Sequence, residues 1–287
     1  MKAFTPYTIK LRGKSITISE PWVMGILNVT PDSFYGNSRC NCEEGIVKRI
    51  HQIIDEGARI IDIGGYSSRP GATEVTPEEE YRRLEQGLSL IRREAPDAIV
   101  SVDTFRADIA RRCVNEWGAD IINDISGGNL DSAMFRTVGE LGTPYILMHM
   151  RGTPKNMATL THYDCVTCDV VKELSMKITE LEQCGASDII IDPGFGLVFS
   201  KTVQQNYELM NNLDEFHNLE KPLLVGISRK SMIYKPLNGT PESSLNGTTV
   251  LNTIALMQGA HILRVHDVKE AVEAVKITQY TRTQNLT

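Results

Sequence analysis

The stretch AIVSVDTFRADIARRCVNEWGADII, Ala98–Ile122, contains the pattern that decides the fold. Two short apolar runs, Ala98–Val102 and Ala119–Ile122, flank a segment with helical spacing at Arg106–Glu116. Continuous apolar runs separated by helix-length segments are typical of parallel strands that are buried on both faces. The stretch therefore predicts a strand, a crossover helix and a second, parallel strand.

The same alternation of apolar runs and helical segments recurs along most of the chain. The runs that predict strands are Trp22–Leu27, Arg59–Ile63, Ala98–Val102, Ala119–Ile122, Pro144–Met148, Asp188–Ile191, Pro222–Ile227 and Ala260–Val265. Helical spacing is found in Glu43–Glu56, Pro77–Glu94, Arg106–Glu116, Asp164–Gln183 and Glu242–Met257. Eight strand–helix units in about 250 residues favour an α/β fold of the (β/α)8 type, a TIM barrel, over an open doubly wound sheet.

A different pattern precedes the first of these units. Residues Tyr7–Ile18 alternate between apolar and polar side chains around Arg12-Gly13-Lys14, which predicts a short β-hairpin. No linker, low-complexity tract or change of composition divides the chain. We therefore expect a single domain over residues 1–287, with the hairpin at about 7–18 and the barrel at about 22–283.

Composition and charge exclude several classes of protein. The 287 residues are 41% hydrophobic and 23% charged, which is typical of a globular protein. A formal charge of -6 argues against a nucleic-acid partner. No signal peptide is recognised, and no apolar run approaches the roughly 18 to 20 residues that span a bilayer. We therefore expect a cytoplasmic protein that binds neither nucleic acid nor membrane.

The cysteines are the next candidates for a functional site. Cys165 and Cys168 form a C-x-x-C pair, and Cys40 and Cys42 form a C-x-C pair. A metal site and a redox pair are both conceivable for such spacings, but no second pair lies at zinc-binding distance in the sequence. Free thiols in a reducing compartment are the prediction.

Polar side chains follow every predicted strand. They are Asn28; Asp62, which the second strand carries, with Ser67, Ser68 and Arg69 after Gly64 and Gly65; Asp103; Asn123 and Asp124; His149; Asp192; Ser228, Arg229 and Lys230; and Arg264 and His266. Any one of them, taken alone, is better explained as a helix cap or a loop residue. In a barrel, however, all eight strand ends meet at one rim, where barrel enzymes build their active sites. Together these residues predict a site.

The residue types at this rim indicate its chemistry. Amides and carboxylates at Asn28, Asp103, Asn123 and Asp192 suit the edge of a heterocycle that presents both donors and acceptors. Positive charge from Arg229, Lys230, Arg264 and His266 predicts an anionic substrate, held where barrels often bind phosphate. An oxygen ligand such as Asn28 beside a polyphosphate favours Mg²⁺ as the metal. Two long loops, Thr30–Cys42 and Gly64–Thr76, are typical of segments that close over ligands.

Eight motifs, in order from about Trp22 to Val275, together resemble the dihydropteroate synthase family. They are GILNVTPDSF (25–34), DIGGYSSRPG (62–71), SVDT (101–104), INDISG (122–127), MHM (148–150), DPGFG (192–196), SRKS (228–231) and RVHD (264–267). The resemblance implies a barrel enzyme, usually a homodimer. It implies an enzyme that joins 4-aminobenzoate to 6-hydroxymethyl-7,8-dihydropterin diphosphate and releases diphosphate. Sulfonamides, which mimic aminobenzoate, are the inhibitors expected from the family.

The resemblance also assigns roles to individual residues. The pterin pocket is expected at Asp103, Asn123, Met148, Asp192 and Lys230. The diphosphate site is expected at Asn28, Arg264 and His266, with Asn28 also on Mg²⁺. The aminobenzoate site is expected at Phe34, Ser68, Arg69 and Pro70 on the two loops, with Lys230 nearby. The residues expected to carry catalysis are Asp103, Lys230, Arg264 and His266.

The expected mechanism is C–O cleavage to a pterin-methyl cation, stabilised by Asp103 and protected from water by the closed loops. The sequence departs from the common family pattern at two places. Phe34 is followed by Tyr35-Gly36-Asn37-Ser38 where many members have Ser-Asp-Gly-Gly, and Ser68 stands where many have Thr. Both departures bear on loop closure and sulfonamide affinity, while the hydroxyl at residue 68 is kept.

Two other functions remain open from the residues. The pterin-binding barrel of a corrinoid-dependent methyltransferase would use Asp103, Asn123 and Asp192 in a similar way, but it has no use for a diphosphate site. The motifs Ser228–Ser231 and Arg264–Asp267 therefore favour the synthase. A non-catalytic pterin- or anion-binding protein is the alternative outside enzymes, and the complete set of polar strand ends argues against it.

Overall fold

A turn of two left-handed residues forms the N-terminal hairpin. The computed structural model describes residues 4–30, 39–66, 75–153, 156–196 and 199–283. Strands β1 (Tyr7–Leu11) and β2 (Lys14–Ile18) pair antiparallel, with Leu11 opposite Lys14. Arg12 and Gly13 join them with φ of 51° and 71°, the backbone that a tight hairpin turn requires. The predicted hairpin is confirmed.

The parallel strands form an almost closed barrel. They are β3 (Trp22–Asn28), β4 (Ile60–Gly64), β5 (Ile99–Asp103), β6 (Ile121–Asp124), β7 (Tyr145–Met148), β8 (Ile189–Asp192), β9 (Leu224–Val225) and β10 (Ile262–Val265). Their order is β8-β7-β6-β5-β4-β3-β10-β9, and every neighbouring pair is parallel. A single parallel bridge between Ile191 and Leu223 brings the two ends of the sheet together. The predicted barrel is confirmed.

Helices alternate with these strands. They are α1 (Arg39–Asp55), α2 (Pro77–Glu94), α3 (Ala107–Trp117), α4 (Met134–Leu141), α5 (Val166–Gln183), α6 (Val203–Asn211), α7 (Ser231–Tyr234), α8 (Leu245–Met257) and α9 (Val268–Thr283). Helix α2 begins and ends where the sequence predicts, because Thr76 caps it by accepting a hydrogen bond from the Glu79 N–H and Pro77 takes its first position. Within the described ranges, the helices are too short or too polar to cross a membrane.

Alternate residues of each strand face the barrel interior or the surrounding helices. At the amino-terminal end of the barrel the inward residues are apolar: Trp22, Met24, Ile60, Ile121, Ile146, Ile190, Leu224 and Ile262. Ile9, Leu11 and Ile18 of the hairpin pack against this layer and are at most 2% exposed. The hairpin therefore closes the lower end of the barrel, and only the end formed by the strand carboxyl termini is left for a site.

An ion pair fastens the hairpin to the barrel. Arg12 donates to both carboxylate oxygens of Asp120, at 2.6 and 2.9 Å, and the backbone N–H of Val100 donates to the same carboxylate at 2.9 Å. Asp120→Asn is expected to lower the free energy of unfolding by about 1 to 2 kcal/mol, because the buried Asp120 carboxylate loses its charge while its partner Arg12 is 43% exposed to solvent. Denaturant unfolding measures this change. Asp97→Asn, an exposed carboxylate beside the same arginine, is the control, and equal stability of both variants would contradict the role of the pair.

Candidate active site

The inward faces of the strands become polar one step above the apolar layer. Because inward positions recur every second residue, Asp62 follows Ile60, Asn123 follows Ile121 and Asp192 follows Ile190. Ser101 and Arg264 occupy the corresponding positions on β5 and β10. These side chains lie in the barrel interior directly above the apolar layer. We call this carboxyl-terminal end of the barrel interior the mouth.

Arg264 is held between two carboxylates. Its Nε donates to Asp62 Oδ2 at 2.6 Å, and its Nη2 donates to Asp103 Oδ2 at 2.7 Å. Asp62 also accepts from Ser101 Oγ at 2.7 Å and from Asn123 Nδ2 at 3.2 Å. The five residues come from four strands, β4, β5, β6 and β10, and their hydrogen bonds fix one another's positions.

The charges in this network are unequal. Burial raises the pKa of Asp103, and the neighbouring Asp62 adds to this effect, while the ion pair with Arg264 opposes it. Burial alone would lower the pKa of Arg264, but Asp62 and Asp103 raise it overall, so the guanidinium stays charged. One cation thus lies among two carboxylates in a water-poor pocket, where electrostatic interactions are strong.

Asp192 and Lys230 lie beside this network, at the end of β8 and after β9. Lys230 Nζ donates to the carbonyl oxygen of Phe195 at 2.6 Å and lies 4.8 Å from the centroid of the Phe199 ring. Burial lowers the pKa of Lys230 to about 8, although Asp192 opposes the shift. Asp192 is 4% exposed and accepts from the Gly194 N–H at 2.8 Å, and burial raises its pKa.

An apolar wall stands beside these polar groups. Met148, at the end of β7, packs in a buried cluster with Ile125, Met150, Met157 and Phe199. This end of the barrel therefore combines an apolar cluster with a few convergent donors and acceptors, which is the usual character of a site for a small heterocycle.

His266 and Ser228 lie where β10 and β9 lead into the rim. Ser228 Oγ is 3.1 Å from His266 Nδ1 and also accepts from the His266 backbone N–H at 3.1 Å. Burial lowers the pKa of His266 to about 3, and the nearby Arg264 and Arg229 add to this effect. The ring is therefore uncharged near neutral pH and can offer an N–H rather than a charge.

Asn28 joins the site through Gly64. The residues Asn28, Gly64 and Asp103 lie side by side at the ends of β3, β4 and β5. A Cβ on Gly64 would lie 3.8 Å from Asn28 Oδ1 and 3.5 Å from Asp103 Cβ, so the glycine lies between the two side chains. Asn28 is thus brought next to the network of Arg264.

Comparison with known proteins identifies the family of this chain. A family model described as "Pterin binding enzyme" matches residues 24–266. The dihydropteroate synthase of Escherichia coli K12 is 44% identical over 272 residues, covering 94% of this chain and 95% of that protein. The Haemophilus influenzae synthase is 38% identical over 93% of this chain and 96% of that protein. This chain belongs to the dihydropteroate synthase family.

Solved structures of the family agree with the fold. Yersinia pestis dihydropteroate synthase with a sulfonamide drug superposes with a TM-score of 0.88 at 39% identity, over 97% of this chain and 100% of that one. Xanthomonas albilineans dihydropteroate synthase with 4-aminobenzoic acid gives 0.87 at 35% identity, over 97% and 99%. Membership of this family makes the protein a transferase.

The pterin and diphosphate residues predicted for a dihydropteroate synthase lie around one mouth in the structure. Two members of the network, Asp62 and Ser101, were assigned no binding or catalytic role from the sequence. Asp62 is fully buried and is the shared acceptor of Arg264, Ser101 and Asn123. The spacing of two residues from Ile60 is the sequence signal that could have placed Asp62 inside the barrel. Which face of the strand points inward is decided only by the folded barrel.

Two residues that the sequence places at the rim of the synthase face away from the mouth. His149 bonds Lys201 Nζ through Nδ1 and Glu173 Oε2 through Nε2, both at 2.9 Å, and burial lowers its pKa to about 3. Arg229 is paired with Asp267 at 2.6 and 3.0 Å. His149 directly follows β7, as the sequence predicts, but its ring bonds Lys201 and Glu173 rather than the network of Arg264. The charge of Arg229 is balanced by Asp267.

The aminobenzoate residues predicted for the synthase, Phe34, Ser68, Arg69 and Pro70, lie outside the described residues, as do the departures at positions 35–38. Their roles stay predictions. The prediction of free thiols is wrong for one pair, because Cys165 and Cys168 form a disulfide at the start of α5. Cys113 and Cys184 are free.

Proposed function

We propose that this protein joins 6-hydroxymethyl-7,8-dihydropterin diphosphate to 4-aminobenzoate, giving 7,8-dihydropteroate and diphosphate. The observation that carries the proposal is the guanidinium of Arg264, fixed between Asp62 and Asp103 at 2.6 and 2.7 Å on the floor of the mouth. The X. albilineans relative was solved with 4-aminobenzoic acid and the Coxiella burnetii relative with pteroic acid, which supports the same pair of substrates here.

The pterin ring lies between the apolar wall and the polar groups of the mouth. Met148 contacts the face of the ring, and Asp103, Asn123, Asp192 and Lys230 bond its edge. The carboxylates accept from the amino and ring N–H groups, and the ammonium of Lys230 donates to the ring oxygen. Because Asp192 is buried and Lys230 is partly buried, each leaves an unsatisfied charge when a ligand lacks the matching group, and this gives specificity.

The diphosphate is held by Asn28, Arg264 and His266. The Ser228 hydroxyl accepts from the His266 backbone N–H and can also donate to Nδ1, an arrangement that leaves the proton of the neutral imidazole on Nε2. That N–H and the Arg264 cation stabilise negative charge on the leaving oxygens as the C–O bond breaks.

A Mg²⁺ ion fits the donor set at this position. The amide oxygen of Asn28 is a hard ligand, and the described residues contain no group of three His, Cys, Asp or Glu side chains that could hold a metal without the substrate. Asn28 and diphosphate oxygens would hold the ion, and it would supply further neutralisation of the leaving group.

Loss of diphosphate leaves a methylene cation conjugated to the electron-rich pterin. The Asp103 carboxylate stabilises that cation, and the aryl amine attacks it without a strong general base. Phe34, Ser68, Arg69 and Pro70 hold the aminobenzoate, with Lys230 nearby, and help to exclude water. Sulfonamides compete for the same place.

The test is diphosphate release with Mg²⁺, run with and without 4-aminobenzoate, with the product identified by mass. Formation of dihydropteroate, inhibited by a sulfonamide competitively with 4-aminobenzoate, is the expected result. Pterin binding with no diphosphate release in either condition would overturn the proposal and direct attention to methyl transfer or simple binding.

A homodimer is also part of the proposal. Adjacent helices α8 and α9 expose an apolar face made of Val250, Ile254, Met257, Ile277 and Tyr280, which are 37% to 71% exposed. The first three recur at helical spacing, so they share one side of α8. A contiguous exposed apolar patch of this kind is typical of a protein interface, and a second copy of the chain is the proposed occupant.

Ile254→Asp is expected to convert the dimer to a monomer, because it would bury an unpaired charge at the centre of this face. Sedimentation velocity at micromolar concentration measures the change. Met176→Asp, on a separate helix and 58% exposed, is the control and should leave the association unchanged. A variant that sediments like the wild-type dimer would contradict the assigned face. The cytoplasmic location inferred from the sequence stays a prediction.

A further inference from the structure

Lys201 fastens the loop after β8 to the end of β7. The side chain is 0% exposed, and its Nζ lies 2.9 Å from His149 Nδ1. It also donates to the carbonyl oxygens of Gly194 and Phe199, both at 3.0 Å. All three N–H groups of the ammonium are therefore used, two of them on the backbone of one loop. A carboxylate, Glu173, reaches this ammonium through the imidazole of His149.

The same two segments are joined at further points. Ser200 Oγ donates to the Arg151 carbonyl at 2.8 Å and accepts from the Arg151 N–H at 3.0 Å. Gly194 has a φ of 72°, and a Cβ there would lie 2.0 Å from the His149 carbonyl oxygen. The loop is thus pressed against the end of β7 too closely for a side chain. The described residues on both sides of positions 197 and 198 are therefore held against β7.

This loop supplies the surface on which Lys230 lies. The Phe195 carbonyl accepts from Lys230 Nζ at 2.6 Å, and the Phe199 ring lies 4.8 Å from the same ammonium. Lys201 bonds the carbonyl of Phe199 itself. A continuous set of contacts therefore runs from Lys201 through the loop to Lys230.

Holding an ammonium in this place is unfavourable for stability. Burial lowers the pKa of Lys201 to about 7, with Asp192 opposing the shift. An apolar side chain of the same length would avoid the desolvation of the charge. The Lys201 ammonium bonds three acceptors at once and so fixes the positions of the loop carbonyls. An apolar side chain makes no such directional bonds.

We propose that Lys201 is a positioning residue of the pterin site, which acts by holding the loop that orients Lys230 and does not touch the substrate. The inference rests on the proposed function, in which Lys230 binds the pterin. It also gives a reason for the outward orientation of His149, whose Nδ1 is the third acceptor of the ammonium.

A double-mutant cycle tests this role. Lys201→Met is expected to weaken binding of 6-hydroxymethyl-7,8-dihydropterin diphosphate about tenfold and to raise its KM by a similar factor. In a Lys230→Met background the same substitution should change the affinity less than about twofold, because the group it positions is gone. Equilibrium binding, turnover and thermal unfolding are measured on the full chain. Lys221→Met is the control. That lysine lies outside the mouth, where its Nζ donates to Glu182 Oε1 at 2.7 Å.

A merely structural lysine would lower the melting temperature and leave the affinity unchanged, or weaken binding equally in both backgrounds. Either result overturns the proposal. If Lys201→Met does not fold, Phe199→Leu tests the same link, because it keeps the carbonyl that Lys201 bonds and removes the ring beside Lys230. Equal losses of affinity in the two backgrounds would again overturn it. Absence of wild-type turnover contradicts the proposed function, whereas additivity in an active protein contradicts this inference alone.

Discussion

Replacing Asp103 with asparagine is expected to lower kcat about 100-fold or more while the protein stays folded. Asparagine keeps the shape of the side chain and an oxygen that can accept from Arg264 Nη2. In the wild-type protein this nitrogen lies 2.7 Å from Asp103 Oδ2. The negative charge that stabilises the pterin-methyl cation is lost in a buried pocket, where such a charge has a large effect. The expected loss corresponds to about 2.7 kcal/mol of transition-state stabilisation.

Single-turnover diphosphate release measures this effect on bond cleavage directly. The KM for 4-aminobenzoate should change little, because Asp103 acts on the pterin side of the site. Asp188→Asn is the control, since that carboxylate accepts a bond from the Lys10 N–H, 3.0 Å away, outside the mouth. Cleavage at the wild-type rate in Asp103→Asn would remove Asp103 from the proposed mechanism.

Replacing Lys230 with methionine is expected to lower kcat/KM for the pterin diphosphate about 100-fold or more. The variant keeps most of the length of the side chain, but it loses the ammonium that donates to the pterin and lies over the Phe199 ring. The Phe195 carbonyl, now bonded at 2.6 Å, also loses its donor. Asp192 loses a nearby positive charge, which weakens the pocket further.

The pH dependence separates loss of charge from loss of packing. Burial lowers the pKa of Lys230 to about 8, so the free wild-type protein loses this positive charge as the pH rises through about 8. We therefore expect wild-type kcat/KM to fall above this pH, and we expect the Lys230→Met variant to lack that fall. Lys221→Met should keep the wild-type profile. A Lys230→Met variant with the wild-type profile and KM would show that Lys230 does not bind the pterin.

Much of the fold follows from local patterns. All eight predicted barrel strands are present, and their ends agree with the structure to within two residues. Helix α2 is predicted at both ends because Thr76 and Pro77 are local signals for a helix start. The run Pro222–Ile227 shortens to the strand Leu224–Val225, because ladder pairing with neighbours, rather than apolar character, defines a strand.

The site was predictable only as a set of strand ends. The sequence gathers polar residues after each strand but contains no sign of the direction in which each side chain points. Asn123 and Asp124 are neighbours, yet Asn123 bonds Asp62 inside the barrel and Asp124 bonds the Tyr145 hydroxyl on the helix side. His149 likewise turns outward to Lys201 and Glu173.

The sequence by itself determined the alternation of strands and helices, the hairpin and the family motifs, because these depend on spacing along the chain. The tertiary structure alone decided which polar groups share the mouth, and it showed Asp62 between Arg264 and Asn123. The physical reason is that a parallel barrel buries both faces of every strand, so inward and outward residues have the same apolar pattern. Only closure of the barrel gives each strand an inside and brings charges from distant segments into contact.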